Sequence, residues 1–117
     1  MNLSTLALAK KAANALLDKK AENITVLKLP RQVTLFNYFV IAEALSPNHA
    51  QALGQHLKEE MKKAKQPILA LDGMEAGQWV LLDLGTVIVH IFQPPFREYY
   101  DLETLWPESK SIEFEIK

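Results

Sequence analysis

Acid–base and metal chemistry in this 117-residue chain would fall mainly to three histidines, His49, His56 and His90, and to fourteen carboxylates, because it contains no cysteine. With no thiol there is no disulfide framework, thiolate zinc site or cysteine nucleophile. His49 and His56 stand seven residues apart on a predicted helix, ~10 Å of axial rise, too far to share one ion. Metal-dependent phosphoryl or nucleotidyl transfer needs acidic residues converging on one side of a sheet, often two positions apart on one strand. Asp72 and Asp83 instead end separate strands, and neither has an acidic neighbour two positions away. Asp83 reads better as the last residue of a hairpin strand, bonding the turn. The four glycines at 54, 73, 77 and 85 form no phosphate-cradling loop. Ser46 is accounted for as a helix cap. No catalytic residue, metal site or cofactor is expected, and the chain does not read as an enzyme.

Aromatic residues offer binding instead of catalysis. Gln78–Phe92 predicts a hairpin, WVLLD and TVIVHIF around a turn at Leu84 and Gly85. If Asp83 opposes Thr86, Leu81 lies beside Ile88 and Trp79 beside His90 on one face. The other face then carries Val80, Leu82, Val87, Val89 and Ile91, a purely aliphatic set that must be core. The first face mixes Trp79, His90, Phe92 and the Asp83 carboxylate. A rigid aromatic beside polar groups is the composition of an interface anchor; the alternative is that the first or second helix covers that face.

The elements positioning this hairpin follow from pattern. Ser4 predicts the N-cap of a helix ending near Lys20, with Leu6, Ala9, Ala13, Leu16 and Leu17 as its apolar stripe. Ile24–Leu29 reads as a strand stopped by Pro30, followed by a connection through Arg31 and Gln32. Asn37–Ala42 reads as an interior strand covered on both faces. Ser46 and Pro47 predict the N-cap and first position of a second helix, with Ala50, Leu53, Leu57 and Met61 inward. A short strand at Ile68–Leu71 precedes the hairpin. A short helix around Phe96–Thr104 follows it, ended by Trp106 and Pro107. The tail alternates Ile112, Phe114 and Ile116 with polar residues, as an edge strand or a frayed end. The expected class is α/β: a single domain with a mixed β-sheet and packed helices, spanning residues 1–106, with 107–117 a tail.

Composition sets the outer bounds. The length suits one domain that buries roughly two-thirds of its unfolded surface. With 49% hydrophobic residues and a net charge of −1, disorder of the whole chain is excluded. The same charge balance argues against wrapping phosphate backbones by bulk charge, so no sequence-specific nucleic-acid binding is expected. No secretory leader is read at the N-terminus, and no uncharged apolar run reaches ~18 residues, so neither membrane span nor membrane partner is expected. A cytoplasmic address is the expectation.

The stretch GQWVLLDLGTVIVHIFQPPFREYYDLETLW, Gly77 to Trp106, closely resembles the signature of the ribosomal silencing factor, or Iojap, family. NYFVIA at Asn37–Ala42, followed by Ser46 and His49 opening a helix, matches it as well. The chain departs from the family pattern at Asn37, at Glu43, Ala44 and Leu45, and at Asn48. The resemblance implies a nucleotidyltransferase-like fold without the catalytic carboxylates. It also implies a translational repressor that docks on the large ribosomal subunit through its ribosomal protein fourteen. Small-subunit joining would then be blocked sterically when nutrients run short. A role in large-subunit assembly, using the same surface, is the alternative, and a minimal nucleotidyltransferase a more distant one. Carried over onto this chain, the partner-facing residues are Trp79, Leu81 and Asp83, with His90, Glu98 and Tyr99 nearby. Asp83, Glu98, Asp101 and Glu103 would supply local acidity toward a basic ribosomal protein. Members of the family are commonly homodimeric, which makes a homodimer a further expectation.

Overall fold

The computed structural model describes residues 4–29, 37–100 and 110–112. Its elements run α1 (Thr5–Asp18), β1 (Glu22–Lys28), β2 (Tyr38–Glu43), α2 (Pro47–Lys63), β3 (Ala70–Asp72), β4 (Trp79–Asp83), β5 (Val87–Phe92), α3 (Pro94–Tyr100) and β6 (Lys110–Ile112). This is one α/β domain built on a mixed six-stranded sheet in the order β3-β4-β5-β2-β1-β6. Only β2 and β5 are parallel; every other neighbouring pair is antiparallel.

Both long helices start where the capping residues dictate. The Ser4 hydroxyl accepts the Ala7 amide at 3.1 Å, and the Ser46 hydroxyl accepts the His49 amide at 3.0 Å, with Pro47 in the first helical turn. His49 then joins the helices. Its Nδ1 accepts the Leu45 amide at 2.9 Å and its Nε2 meets the Lys19 carbonyl at 2.8 Å, so the end of α1 is tied to the start of α2. Ala50, Leu53, Leu57 and Met61 are fully buried as expected. The inward stripe of α1 differs. Leu8, Ala9, Ala12, Ala13, Ala15 and Leu16 are buried, whereas Leu6 is exposed and Leu17 only half-buried. The alanines form a wide, low-profile face, which suits a helix packed against both the sheet and α2.

β2 lies between β1 and β5 and is buried on both faces, which is what its continuous apolar run required. β1 pairs with it through a bulge between Glu22 and Thr25, where Asn23 takes a positive φ of 49°. The short strand before the hairpin is displaced toward its C-terminus, covering Ala70–Asp72 and not Ile68–Leu71. It runs on until the chain turns at Gly73, φ +85°, where an added Cβ would sit 2.0 Å from the Trp79 carbonyl oxygen. Of the tail, Lys110–Ile112 pairs antiparallel with β1 at the sheet edge. The expected extension of α3 to Thr104, its end at Trp106 and Pro107, the connection through Pro30, Arg31 and Gln32, and the tail at Phe114 and Ile116 lie outside the described residues.

The hairpin register needs correction. Trp79 opposes Phe92, Leu81 opposes His90 and Asp83 opposes Ile88, two residues away from the pairing expected from sequence. The turn is centred on Gly85 and Thr86, with the Leu84 amide donating to the Val87 carbonyl at 2.9 Å and Gly85 at φ +94°. Two-residue hairpin turns of the primed types need positive φ at the first central position. A turn centred on Leu84 and Gly85 would force that conformation on leucine. Because the slip is by two, each side chain keeps its face.

Candidate functional site

The two faces of the sheet have different cover. Val80, Leu82, Val87, Val89 and Ile91, together with Val26, Val40 and Ala42, meet the apolar sides of α1 and α2 in one core. That aliphatic face is the one α1 and α2 cover, so neither the first nor the second helix lies over Trp79. On the opposite face Leu27, Phe39, Ile41, Ile88 and Phe92 form a second cluster, against which Trp79, Leu81 and Phe96 of α3 pack only partly buried.

α3 is fixed to this second face by a polar clamp. The Arg97 Nη1 pairs with the Glu43 carboxylate at 3.1 Å and also donates to the Asn23 carbonyl, while Nη2 donates to the Thr25 hydroxyl at 3.1 Å. Asn23 Nδ2 donates to the other Glu43 oxygen at 3.0 Å. The Arg97 and Glu43 side chains are 12% and 14% exposed, so this is a largely desolvated ion pair with its hydrogen bonds supplied. Sequence reasoning missed it. Its only signals are an Asn before a β-branched run and an acidic residue ending β2, 54 positions from the arginine.

Toward the β3 edge the second face opens. Trp79, Leu81 and Asp83 on β4 are half-buried, Ala70 on β3 is half-buried and Asp72 is exposed. Register places Asp72 directly beside Leu81 and Ala70 beside Asp83. Asp72, weighed from sequence only as a catalytic carboxylate, therefore shares a face with the partner-binding candidates. Asp83 bonds the turn as expected: its Oδ1 accepts the Gly85 amide at 2.8 Å. Trp79 lies against Phe92, ring centroids 4.9 Å apart, and its indole N–H donates to His90 Nδ1 at 3.1 Å.

His90 is not a surface contact. It is 4% exposed, held between Phe39, edge-on at 4.6 Å, and the parallel ring of Phe92. Burial pushes its pKa down to about 4, so the imidazole is neutral at physiological pH. Its strand position placed it on the correct face; its coverage comes from neighbouring rings that alternation does not encode. The side chains of Glu98 and Tyr99 lie outside the described residues, as do Asp101 and Glu103. Among the described residues no three histidines and carboxylates gather in a way that could hold a metal ion. No helix among them is long and apolar enough to cross a membrane.

The chain as a whole has counterparts among known proteins. The family model described as ribosomal silencing factor during starvation matches residues 2–117. The chain belongs to this family. The ribosomal silencing factor of Halalkalibacterium halodurans is 36% identical over 113 residues, 97% of each chain. A crystal structure of a protein from Chromobacterium violaceum superposes with a TM-score of 0.86 at 33% identity, covering 98% of this chain and 95% of that one. A mouse protein named for mitochondrial assembly of the ribosomal large subunit is 32% identical over 92 residues, 76% of this chain but 40% of its own length. Silencing-factor membership thus sits on a chain whose helix-backed face is closed and whose aromatic face is open at one edge.

Proposed function

We propose that this chain is a translational repressor that docks on the large ribosomal subunit through ribosomal protein fourteen of that subunit. It uses the open part of its aromatic face, with Trp79 as the anchor, Leu81 beside it and Asp83 at the rim. The mechanism is steric: a folded domain of this size, held at the joining surface, occupies the place where the small subunit must land. Glu98 and Tyr99, which follow on α3, extend the same surface in this reading. The observation that carries it is the half-buried tryptophan on a face that no long helix covers. Membership in a family described by ribosome silencing during starvation supports the repressor role and its timing under nutrient limitation. Ribosomal proteins are basic, and Asp72 and Asp83 give a near-neutral chain the local acidity such a partner attracts.

In this reading the protein works in the cytoplasm, as a homodimer or alone, and catalyses nothing. A nucleotidyltransferase-like fold serves only as a docking scaffold. A second reading, an assembly factor acting on immature large subunits through the same surface, draws on the mouse relative's name. Co-sedimentation decides between them. The purified protein should pellet with isolated large subunits and reduce the joined ribosomes formed when small subunits are added. Binding with undiminished joining would favour assembly. No binding, together with a measurable calorimetric signal for ATP and magnesium, would replace both readings with the enzyme.

A further inference from the structure

His90 is the one polar residue on a strand that is otherwise Val, Ile and Phe, and every residue of that strand is buried. An aliphatic side chain would fill its place without burying polar atoms. The imidazole instead leaves its Nε2 without a hydrogen-bond partner among the described residues, which is unfavourable for a buried polar atom. Its other nitrogen accounts for its presence. His90 opposes Leu81 and lies diagonally across from Trp79, a separation that large rings can bridge. The indole N–H of Trp79 reaches Nδ1 at 3.1 Å. An indole nitrogen can only donate, so Nδ1 is the bare nitrogen and the ring hydrogen resides on Nε2. Phe39 edge-on and Phe92 in parallel fix the plane of the imidazole. Burial favours the neutral ring that can accept this bond.

We propose that His90 is a positioning residue for docking: its Nδ1 holds the Trp79 indole N–H and thereby sets which edge and face of the half-exposed ring meets the partner. This deepens the docking reading above and rests on it. A ring already held in one orientation loses less rotamer freedom when the partner arrives, so the bond acts through affinity without touching the partner.

The test uses the full chain, isolated large ribosomal subunits and the indole N–H resonance of Trp79, distinguished from that of Trp106 by Trp79→Phe. His90→Phe keeps a ring between Phe39 and Phe92 but removes the acceptor. It should move the Trp79 indole resonance upfield, speed its exchange with solvent and weaken subunit binding about fivefold, the scale of one net hydrogen bond. His90→Asn, whose Oδ1 can occupy the place of Nδ1, should recover both signals toward wild type. An unmoved indole resonance in His90→Phe, or subunit binding as tight as wild type, overturns the proposal. So does a wild-type imidazole spectrum showing the proton on Nδ1, which needs no variant to fold. If Trp79→Ala abolishes binding while His90→Phe does not, only the positioning role fails. If Trp79→Ala also binds normally, the docking reading fails and takes the positioning role with it.

Discussion

The helix-backed face and the aromatic face of one sheet are built from the same strands, yet they are filled by different chemistry. Behind α1 and α2 the strands contribute mainly Val, Ile, Leu and Ala, with the ring of Tyr38 among them, and nearly all of these side chains are buried. On the other side the same strands add Phe39, Trp79, His90 and Phe92 to the aliphatic Leu27, Ile41, Leu81 and Ile88, with Asp83 and Glu43 at the margins, under the partial cover of α3. Aliphatic side chains fill space without direction. Rings and carboxylates have edges, faces and donors that must be oriented. A face that spends its residues on orientation while remaining half open has the composition of a surface meant to be recognised.

The contrast can be broken most forcefully from the closed side. Leu57→Ala removes a fully buried side chain between α2 and the sheet, and should cost roughly 3 kcal/mol of stability in denaturant melts. Subunit binding per folded molecule should stay the same. Loss of binding in proportion greater than unfolding would mean that the two faces are coupled.

Acid should act from the aromatic side with a similar magnitude. The unfolded chain takes up a proton on His90 near pH 6.5, whereas the folded chain holds that pKa down to about 4. The stability this histidine confers is therefore complete above pH 6.5 and is lost as pH falls from there toward 4. The loss amounts to roughly 3 kcal/mol by linkage. Melts of wild type and His90→Phe over this range should diverge by that amount, since the carboxylates titrate equally in both. Parallel curves would show that the imidazole is far more hydrated than its burial indicates.

Trp79→Ala separates the faces by function. Subunit affinity should fall by more than tenfold, the effect of removing a central aromatic anchor. Because the ring is half-buried against Phe92 and bonded to His90, the melting temperature should drop as well, though by less than in Leu57→Ala. A variant that melts far lower but binds normally once folded would make Trp79 a core residue.

The smallest effect is expected at the rim. Asp83→Asn preserves an oxygen for the Gly85 amide, so stability should change by less than about 0.5 kcal/mol. The lost charge should reduce subunit affinity only slightly and flatten its dependence on salt. An unchanged salt dependence would remove electrostatics from the docking model.

Much of this was legible in the sequence, for local reasons. Ser4, Ser46 and Pro47 mark helix starts through hydrogen bonds that span three residues. The faces of the hairpin follow from alternation alone, so Trp79 and Val80 fall on opposite faces in either register, the expected one or the observed one two residues away. That register turned on whether Leu84 or Gly85 occupies the position requiring positive φ, a conformational preference and not a pattern. The burial of His90, the bulge at Asn23 and the Arg97–Glu43 pair all depend on contacts between segments distant along the chain. Asp72 became relevant only once β3 was seen to reach it and to place it next to Leu81. Sequence thus told which residues share a face, while the structure told how that face is covered.

β3 itself has one more implication. It is a three-residue boundary strand, closed at its end by a glycine turn that touches the Trp79 carbonyl, and its last side chain is an exposed carboxylate. A free strand edge is the usual template on which identical chains stack into fibrils. This one offers about 10 Å of backbone and a negative charge, too little to reward strand-by-strand growth. The edge beside the uncovered aromatic patch is therefore already blunted against pairing with a second copy.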